Sequence, residues 1–263
     1  MSSGVESTVS LARTEAAFWS AFLRNRNVDA RSADDGAVSV AGGYALCLVG
    51  TYLEYAVGVG STRPIRPDDL EIVRDFYAQR GLPPRLELDE AVLARDRAVL
   101  TAAGYEEDDV RLVVLQAAIG AATVPDGITV RTATNRRAWA DLVVRAFEDI
   151  TPDADHARLR RSTEANAASA QGLVIASIDG VDVGAAAVGI TGDLALLYSG
   201  AVLSTHRKRG IHRALTAARL ALATRRGATR AALKTTPDSP VIRSAAALGF
   251  TPAATRRRLR ALD

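Results

Sequence analysis

The chain has one cysteine, Cys47, among 263 residues, so no disulfide can close within it and nothing in its thiol content points to an oxidising compartment. Histidine is nearly as scarce. His156, His206 and His212 are the three present, and none stands at ligand spacing from the cysteine or from a glutamate, so no metal is expected. Neither sign of charge dominates: 33 basic residues face 30 acidic ones, for a net charge of +3. That mild excess suits an anionic ligand and lacks the clustered basic face of a nucleic-acid binder. Long uninterrupted apolar runs are missing too. Residues 37–60 come closest, but Gly42, Gly43, Gly50, Gly58 and Gly60 break the run and Glu54 sits inside it. Its valines and leucines fit short buried strands better than a bilayer span. The first ten residues lack a basic stretch followed by an apolar one, which argues against a signal peptide. These absences describe a cytoplasmic protein without a membrane partner. At 48% hydrophobic and 24% charged, the chain has the composition of an ordinary globular protein, long enough for one large domain or two small ones.

Periodicity divides the chain into two similar halves. Residues 11–25 carry Leu11, Phe18 and Phe22 at helical spacing. Three short strands follow near Ser39, Leu46 and Tyr55, separated by glycines. Pro67 and Asp68 open a helix that ends near Gly81. A strand at 85–88, a helix at 90–103 and a strand at 110–116 complete the half. The small-residue stretch 117–127, with Pro125 and Asp126-Gly127, reads as a linker. The pattern then restarts with a strand (128–132), a helix (135–147), a polar helix (155–168) and a hairpin turning at Asp179-Gly180. A strand (193–203), a helix (210–225), a strand (229–235), a short helix (240–248) and a last strand (250–259) follow. Ala102-Ala103-Gly104-Tyr105 and Ala247-Leu248-Gly249-Phe250 fall at corresponding places, as in a degenerate repeat.

The chemistry concentrates where the 193–203 strand meets the next helix, in Val202-Leu203-Ser204-Thr205-His206-Arg207-Lys208-Arg209-Gly210-Ile211-His212-Arg213. A helix start offers free backbone N–H groups and partial positive charge, and phosphate binds there readily. Gly210 permits close backbone approach, and Arg207, Lys208, Arg209 and Arg213 add cationic charge. The turn is thus a candidate diphosphate site.

This arrangement resembles the GNAT superfamily of N-acetyltransferases, whose Arg/Gln-x-x-Gly-x-Gly/Ala turn cradles the pyrophosphate of coenzyme A. Arg207 and Gly210 match that turn, and His212 departs from it where glycine or alanine is usual. The resemblance covers residues 128–263. It implies an α/β (α+β) protein of two tandem GNAT-like domains, each a mixed, mostly antiparallel sheet flanked by helices: a degenerate one at 1–124, which has no such turn, and an acetyl-CoA-binding one at 125–263. It implies cofactor contacts from Val202, Leu203, Arg207, Lys208, Arg209, Gly210, Ile211, His212 and Arg213, with the Val202 N–H donating to the thioester oxygen. It also implies direct transfer of an acetyl group to an amine, most simply on a small molecule, with a protein N-terminus or lysine as the other acceptor. No metal takes part.

For the base, Glu148 and Asp149 end the first helix of that domain. The tyrosine by which many relatives protonate the leaving thiolate is replaced by Ala245, so Ser244, Ser239 or His206 stand as substitutes. A non-catalytic acyl-CoA-binding or sensor protein is the competing class. A nucleic-acid-associated protein using Arg256-Arg257-Arg258-Leu259-Arg260 is a weaker one, because those arginines read better as a charged edge strand. Cys47 reads as a core residue.

Overall fold

A computed structural model describes residues 3–25, 32–148 and 155–262. The chain forms two compact units. The first takes the chain up to Val113 together with the segment from Ala253 onward, and the second spans Val114–Pro252.

In the first unit, α1 (Ser3–Asn25) precedes an antiparallel meander of β1 (Gly36–Val40), β2 (Gly43–Cys47) and β3 (Glu54–Val57). Then α2 (Pro67–Ala78) crosses over so that β4 (Arg85–Asp89) pairs with β3 in parallel, Ala56 opposite Leu86. That short βαβ connection needs the helix to carry the chain back across the sheet. After α3 (Glu90–Ala102), β5 (Tyr105–Ala118) begins, and the C-terminal strand β11 (Thr251–Ala261) lies between β4 and β5, antiparallel to β4. The core gathers Cys47, Ala56, Leu70, Val73, Tyr77, Leu86, Leu88, Leu100, Tyr105 and Leu259. Cys47 is fully buried, and desolvation pushes its thiol up to about 11, which makes it a packing residue without nucleophilic character at neutral pH.

The run of arginines in β11 is not the charged edge expected from the sequence. β11 is an interior strand, and Arg256, Arg257 and Arg258 are neutralised where they stand. Arg256, 0% exposed, meets Glu15 at 2.5 Å, Asp89 at 2.8 Å and Glu87 at 3.2 Å. Arg258 meets Glu87 at 3.2 Å, and Arg257 meets Glu90 at 3.4 Å and Glu107 at 3.6 Å. Such carboxylates would hold β11 in register through charge as well as through its ladder.

The second unit repeats the plan. An antiparallel meander of β6 (Thr129–Thr132), β7 (Gly172–Ile178), β8 (Val181–Thr191) and β9 (Leu194–Val202) is interrupted after β6 by α4 (Arg136–Glu148) and α5 (His156–Ser169). A crossover through α6 (Ile211–Thr224) then brings β10 (Arg230–Thr235) parallel to β9. The short α7 (Val241–Ala246) follows. The Asp179-Gly180 turn has both residues at positive φ, 48° and 78°, as a two-residue hairpin of this hand requires. One face of the sheet packs α4 through Trp139, Leu142 and Val143 on Leu173, Ile175, Ala185 and Ala187. The other packs α6 through Ile211 and Leu215 on Val174, Ala176, Val183 and Ala186. Gly184 makes the α6 contact possible: a Cβ there would lie 3.1 Å from Ile211 Cγ2 and 3.0 Å from the Ala201 carbonyl oxygen. Among the described residues, no helix is long and apolar enough to cross a membrane.

Candidate active site

The site grows out of an irregularity in β9. Its register with β8 shifts between Ala185↔Ala201 and Ala187↔Tyr198, so two β9 residues, Ser199 and Gly200, stand opposite the single Ala186. This is a β-bulge. Ser199 takes a left-handed φ of 51°, an uncommon conformation for a side-chain-bearing residue. Its hydroxyl accepts a 2.9 Å hydrogen bond from Asn166 of α5.

Two fully buried side chains donate to carbonyls around the bulge from opposite faces. Trp139 Nε1 of α4 donates to the Ala186 oxygen at 3.2 Å. Arg219 Nη1 of α6 donates to Ala187 at 3.2 Å and Tyr198 at 3.3 Å. The Tyr198 hydroxyl meets Ser169 Oγ at 2.8 Å, and burial raises its pKa well above the usual phenol value.

The bulge sets the direction of the end of the strand. Leu203 N–H donates to the Val183 oxygen at 3.0 Å, and Gly184 is the partner of Val202. By the alternation of an antiparallel ladder, Val202 therefore turns its N–H and C=O away from β8. Gly200, two residues back, faces the same way. On that side β10 pairs with β9 only as far as Leu197↔Leu233. The edge at Gly200 and Val202 lies beyond the last paired residue, where the two parallel strands diverge.

Leu203 then leads into a single 3-10 turn, Ser204–His206, and α6 begins at Gly210, whose φ of 79° makes glycine the suitable N-cap. Lys208 is also left-handed, at 64°. No acidic residue stands in the first turn of α6, and the N-cap has no side chain to give, so the N–H groups of Ile211, His212 and Arg213 point out of the helix start. Lys208, Arg209 and Arg213 are exposed around it. Arg207 behaves differently from its neighbours. Its Nε donates to the Val202 oxygen at 3.2 Å and its Nη2 to the Ala146 oxygen at 3.3 Å, so one side chain ties the end of β9 to the last turn of α4.

Glu148, two residues past Ala146, is half exposed and accepts from, or donates to, His156 Nδ1 at 3.0 Å according to protonation. Asp149 lies outside the described residues. Of the candidate proton donors, His206 contacts Thr205 Oγ1 at 2.8 Å, and Ser239 caps α7 through the Val241 N–H at 3.2 Å. Ser244 does more. Its Oγ lies 3.1 Å from Nδ1 of His212 and donates to the Val241 oxygen at 2.9 Å. Ala245 is buried. Among the described residues no three His, Cys, Asp or Glu side chains converge as a metal site would need.

Sequence reasoning missed Arg219 and Gly200. Arg219 falls on the apolar stripe of α6, four residues after Leu215 and three before Leu222. A charged residue at a core-facing position was its signal. Gly200 is a glycine inside an apolar strand, which marks a bulge.

A family model described as "Probable histone acetyltransferase Rv0428c C-terminal" matches residues 51–259. A GCN5-related N-acetyltransferase from Kribbella flavida superposes with a TM-score of 0.66 at 23% identity, over 96% of both chains. A tandem GNAT protein from the clavulanic acid biosynthesis pathway superposes with a TM-score of 0.57 at 19% identity, over 77% of this chain and 70% of its own. No curated protein matches. The family model takes in well over half of the chain and reaches into both compact units, and the chain accordingly belongs to this acetyltransferase family and to the GNAT superfamily.

Proposed function

We propose that the second unit binds acetyl-CoA and transfers its acetyl group to an amine. The observation that carries the reading is the open edge of β9 at Gly200 and Val202, beside a helix start rich in cations and without an acidic cap. The N–H groups of Ile211, His212 and Arg213, with Lys208, Arg209 and Arg213, would take the diphosphate. The edge of Gly200 and Val202 would take the extended arm as a substitute strand, without Leu203, whose N–H is given to the Val183 oxygen. Arg207 would act by fixing Val202 rather than by meeting phosphate, since both of its hydrogen bonds are to carbonyls. An N–H from Gly200 or Val202 would donate to the thioester oxygen as charge develops there. Glu148 stands near the end of this edge through the Arg207 tie to Ala146, and with His156 it would take the proton of the incoming amine. The first unit would bind no cofactor.

A small-molecule amine is the acceptor this reading favours. The family's description as a histone acetyltransferase motivates a protein lysine as the second reading. The alternative of a non-catalytic acyl-CoA binder rests on Ala245, where many relatives carry an acid.

Isothermal titration of acetyl-CoA tests the reading with the wild type, Gly210→Ala and Gly210→Glu. Both variants share the strain of a side chain at positive φ, and only the second brings charge and bulk to the helix start. Binding by the wild type and the alanine variant, lost in the glutamate variant, supports the site. CoA release with a panel of amines and a histone-tail peptide then separates enzyme from binder. A folded wild type that gives no heat sinks the reading.

A further inference from the structure

Arg219 is 2% exposed, and its hydrogen-bond partners among the described residues are all neutral. Nε donates to the Leu215 oxygen at 3.2 Å, Nη1 to the Ala187 and Tyr198 oxygens, and Nη2 to Thr216 Oγ1 at 3.0 Å. Burial lowers its pKa to about 9, which leaves it protonated at neutral pH. A buried cation without an anion is costly. Neutral donors can satisfy bulge carbonyls, as Trp139 does from the other face. The charge itself is therefore the feature that bulge geometry does not explain.

What lies over the guanidinium identifies its use. A Cβ built on Gly200 would sit 3.6 Å from Arg219 Nη2, 3.8 Å from Nη1 and 3.2 Å from His212 Nε2. The other imidazole nitrogen, Nδ1, is 3.1 Å from Ser244 Oγ. A guanidinium, an imidazole and a hydroxyl thus converge, directly or through one another, on the one glycine of the open β9 edge. Desolvation, and then the charge of Arg219, lower the His212 pKa to about 4. The imidazole is neutral at physiological pH, chiefly because it is desolvated, and the Arg219 guanidinium beside it adds a positive potential at this spot. That potential, which disfavours imidazolium, favours an anion.

We propose that Arg219, His212 and Ser244 form a station beneath Gly200 that stabilises the sulfur of coenzyme A as a thiolate. The inference rests on the acetyl-CoA reading above. With the diphosphate at the start of α6 and the arm running back along β9 from Val202, the sulfur end comes to Gly200. When the amine nitrogen attacks the thioester carbon, the C–N bond forms, the C–S bond breaks, and its electron pair goes to sulfur. The amine proton passes to the Glu148–His156 pair and from there to solvent. The thiolate leaves opposite Arg219; with the Ser244 hydroxyl turned from the Val241 oxygen to Nδ1 of His212, the neutral imidazole carries its proton on Nε2 and donates to the sulfur, which takes a proton from water on release. Such a site needs no tyrosine at Ala245. Arg219 acts here through the field at Gly200 and through the bulge, as a positioning residue.

The test uses the full chain saturated with CoA bearing its free thiol. Ultraviolet absorbance of the thiolate is followed against pH, with calorimetry on the same samples. Bound CoA should ionise at least about one pH unit below free CoA, a tenfold shift. Arg219→Lys should keep most of that shift, and Arg219→Met should abolish it while calorimetry still records CoA binding. His212→Ala and Ser244→Ala should each reduce it. Bound CoA that ionises together with free CoA in the wild type overturns the station, as does an equal shift in the wild type and Arg219→Met. Should the methionine variant not fold, an undiminished shift in His212→Ala overturns it instead. Absence of binding heat in the folded wild type removes the acetyl-CoA reading and this inference with it.

Discussion

Acidification from pH 7.5 to pH 5 is expected to weaken the fold through His212, and replacing that residue by glutamine should remove this part of the loss. Burial and the Arg219 charge hold its pKa at about 4, against an ordinary value of 6.5. The unfolded chain therefore binds a proton between pH 6.5 and pH 4 that the folded chain refuses. Stability must rise with pH through that window and level off above it. Linkage puts the loss at about 2 kcal/mol at pH 5 and at most about 3 kcal/mol below pH 4. His212→Gln keeps a hydrogen-bonding group near Ser244 and does not titrate. Urea unfolding of both proteins at pH 7.5 and pH 5, followed by far-ultraviolet circular dichroism, gives the double difference. The other titrating groups contribute to both proteins, including Asp89, raised by burial, and Asp69, lowered by the guanidinium of Arg63. An equal loss in wild type and variant would refute the depressed imidazole that desolvation and the Arg219 charge impose.

Three further outcomes follow from packing. Arg256→Met leaves Glu15, Glu87 and Asp89 buried around an apolar side chain and should cost about 3–5 kcal/mol in chemical denaturation; a loss under about 1 kcal/mol would mean that water already reaches the cluster. Trp139→Phe removes the indole N–H that donates to the Ala186 carbonyl and should cost about 0.5–1.5 kcal/mol. If the bulge depends on that donor, the variant should also weaken acetyl-CoA binding in calorimetry, whereas unchanged affinity would separate the bulge from the site. Gly43→Ala places a Cβ 2.2 Å from the Gly58 carbonyl carbon and 2.3 Å from the Val57 oxygen. Backbone atoms have no room to yield, so the variant should lose at least about 3 kcal/mol, read as a lowered urea midpoint; wild-type stability would mean that β2 and β3 are further apart.

The order of elements was legible because each is short and bounded by residues with one conformational meaning. Gly104 and Gly249 end their helices at φ of 71° and 84° and hand the chain to buried Tyr105 and Phe250, as the repeated phrase suggests. The helix start at Gly210 was legible for the same reason. Partnership across long sequence distances was not. Arg256 reads as surface charge until Glu15, Glu87 and Asp89 are brought around it, and no local pattern places the last strand between β4 and β5. The contact division inside β5, away from the small-residue stretch, has the same origin: β5 is one continuous strand to Ala118, and the irregular segment begins only after it. At the site, the phosphate-type turn was visible as a motif, while the bulge is a register property of two strands and has no motif. His212 stood out only as a departure from the turn, and its meaning came with Arg219 and Ser244.

The two crossover helices show how one plan can carry opposite chemistry. Each follows the last meander strand and precedes the strand that pairs with it in parallel. At α2 the helix start is filled from within. Pro67 contributes no N–H, and the Asp69 carboxylate accepts from Arg66 N–H at 2.8 Å and, through both oxygens, from the Arg63 guanidinium at 2.6 Å. The connecting loop is fastened as well: Asp96 accepts from Ile65 N–H at 3.1 Å, and Arg95 donates to the Gly60 and Arg63 oxygens. Gly58, just past β3, lies under α1, where a Cβ would be 3.0 Å from the Ala12 oxygen. An anion arriving at α2 would meet a carboxylate already bound to its cation, and an extended ligand arriving at β3 would meet a helix. At α6 the corresponding places hold Gly210, outward-turned lysine and arginines, and an edge that β10 leaves at Leu197. The difference lies in a few side chains. Asp69 neutralises one helix start from inside the chain, and the absence of such a residue among the described ones leaves the other open to an anion from outside.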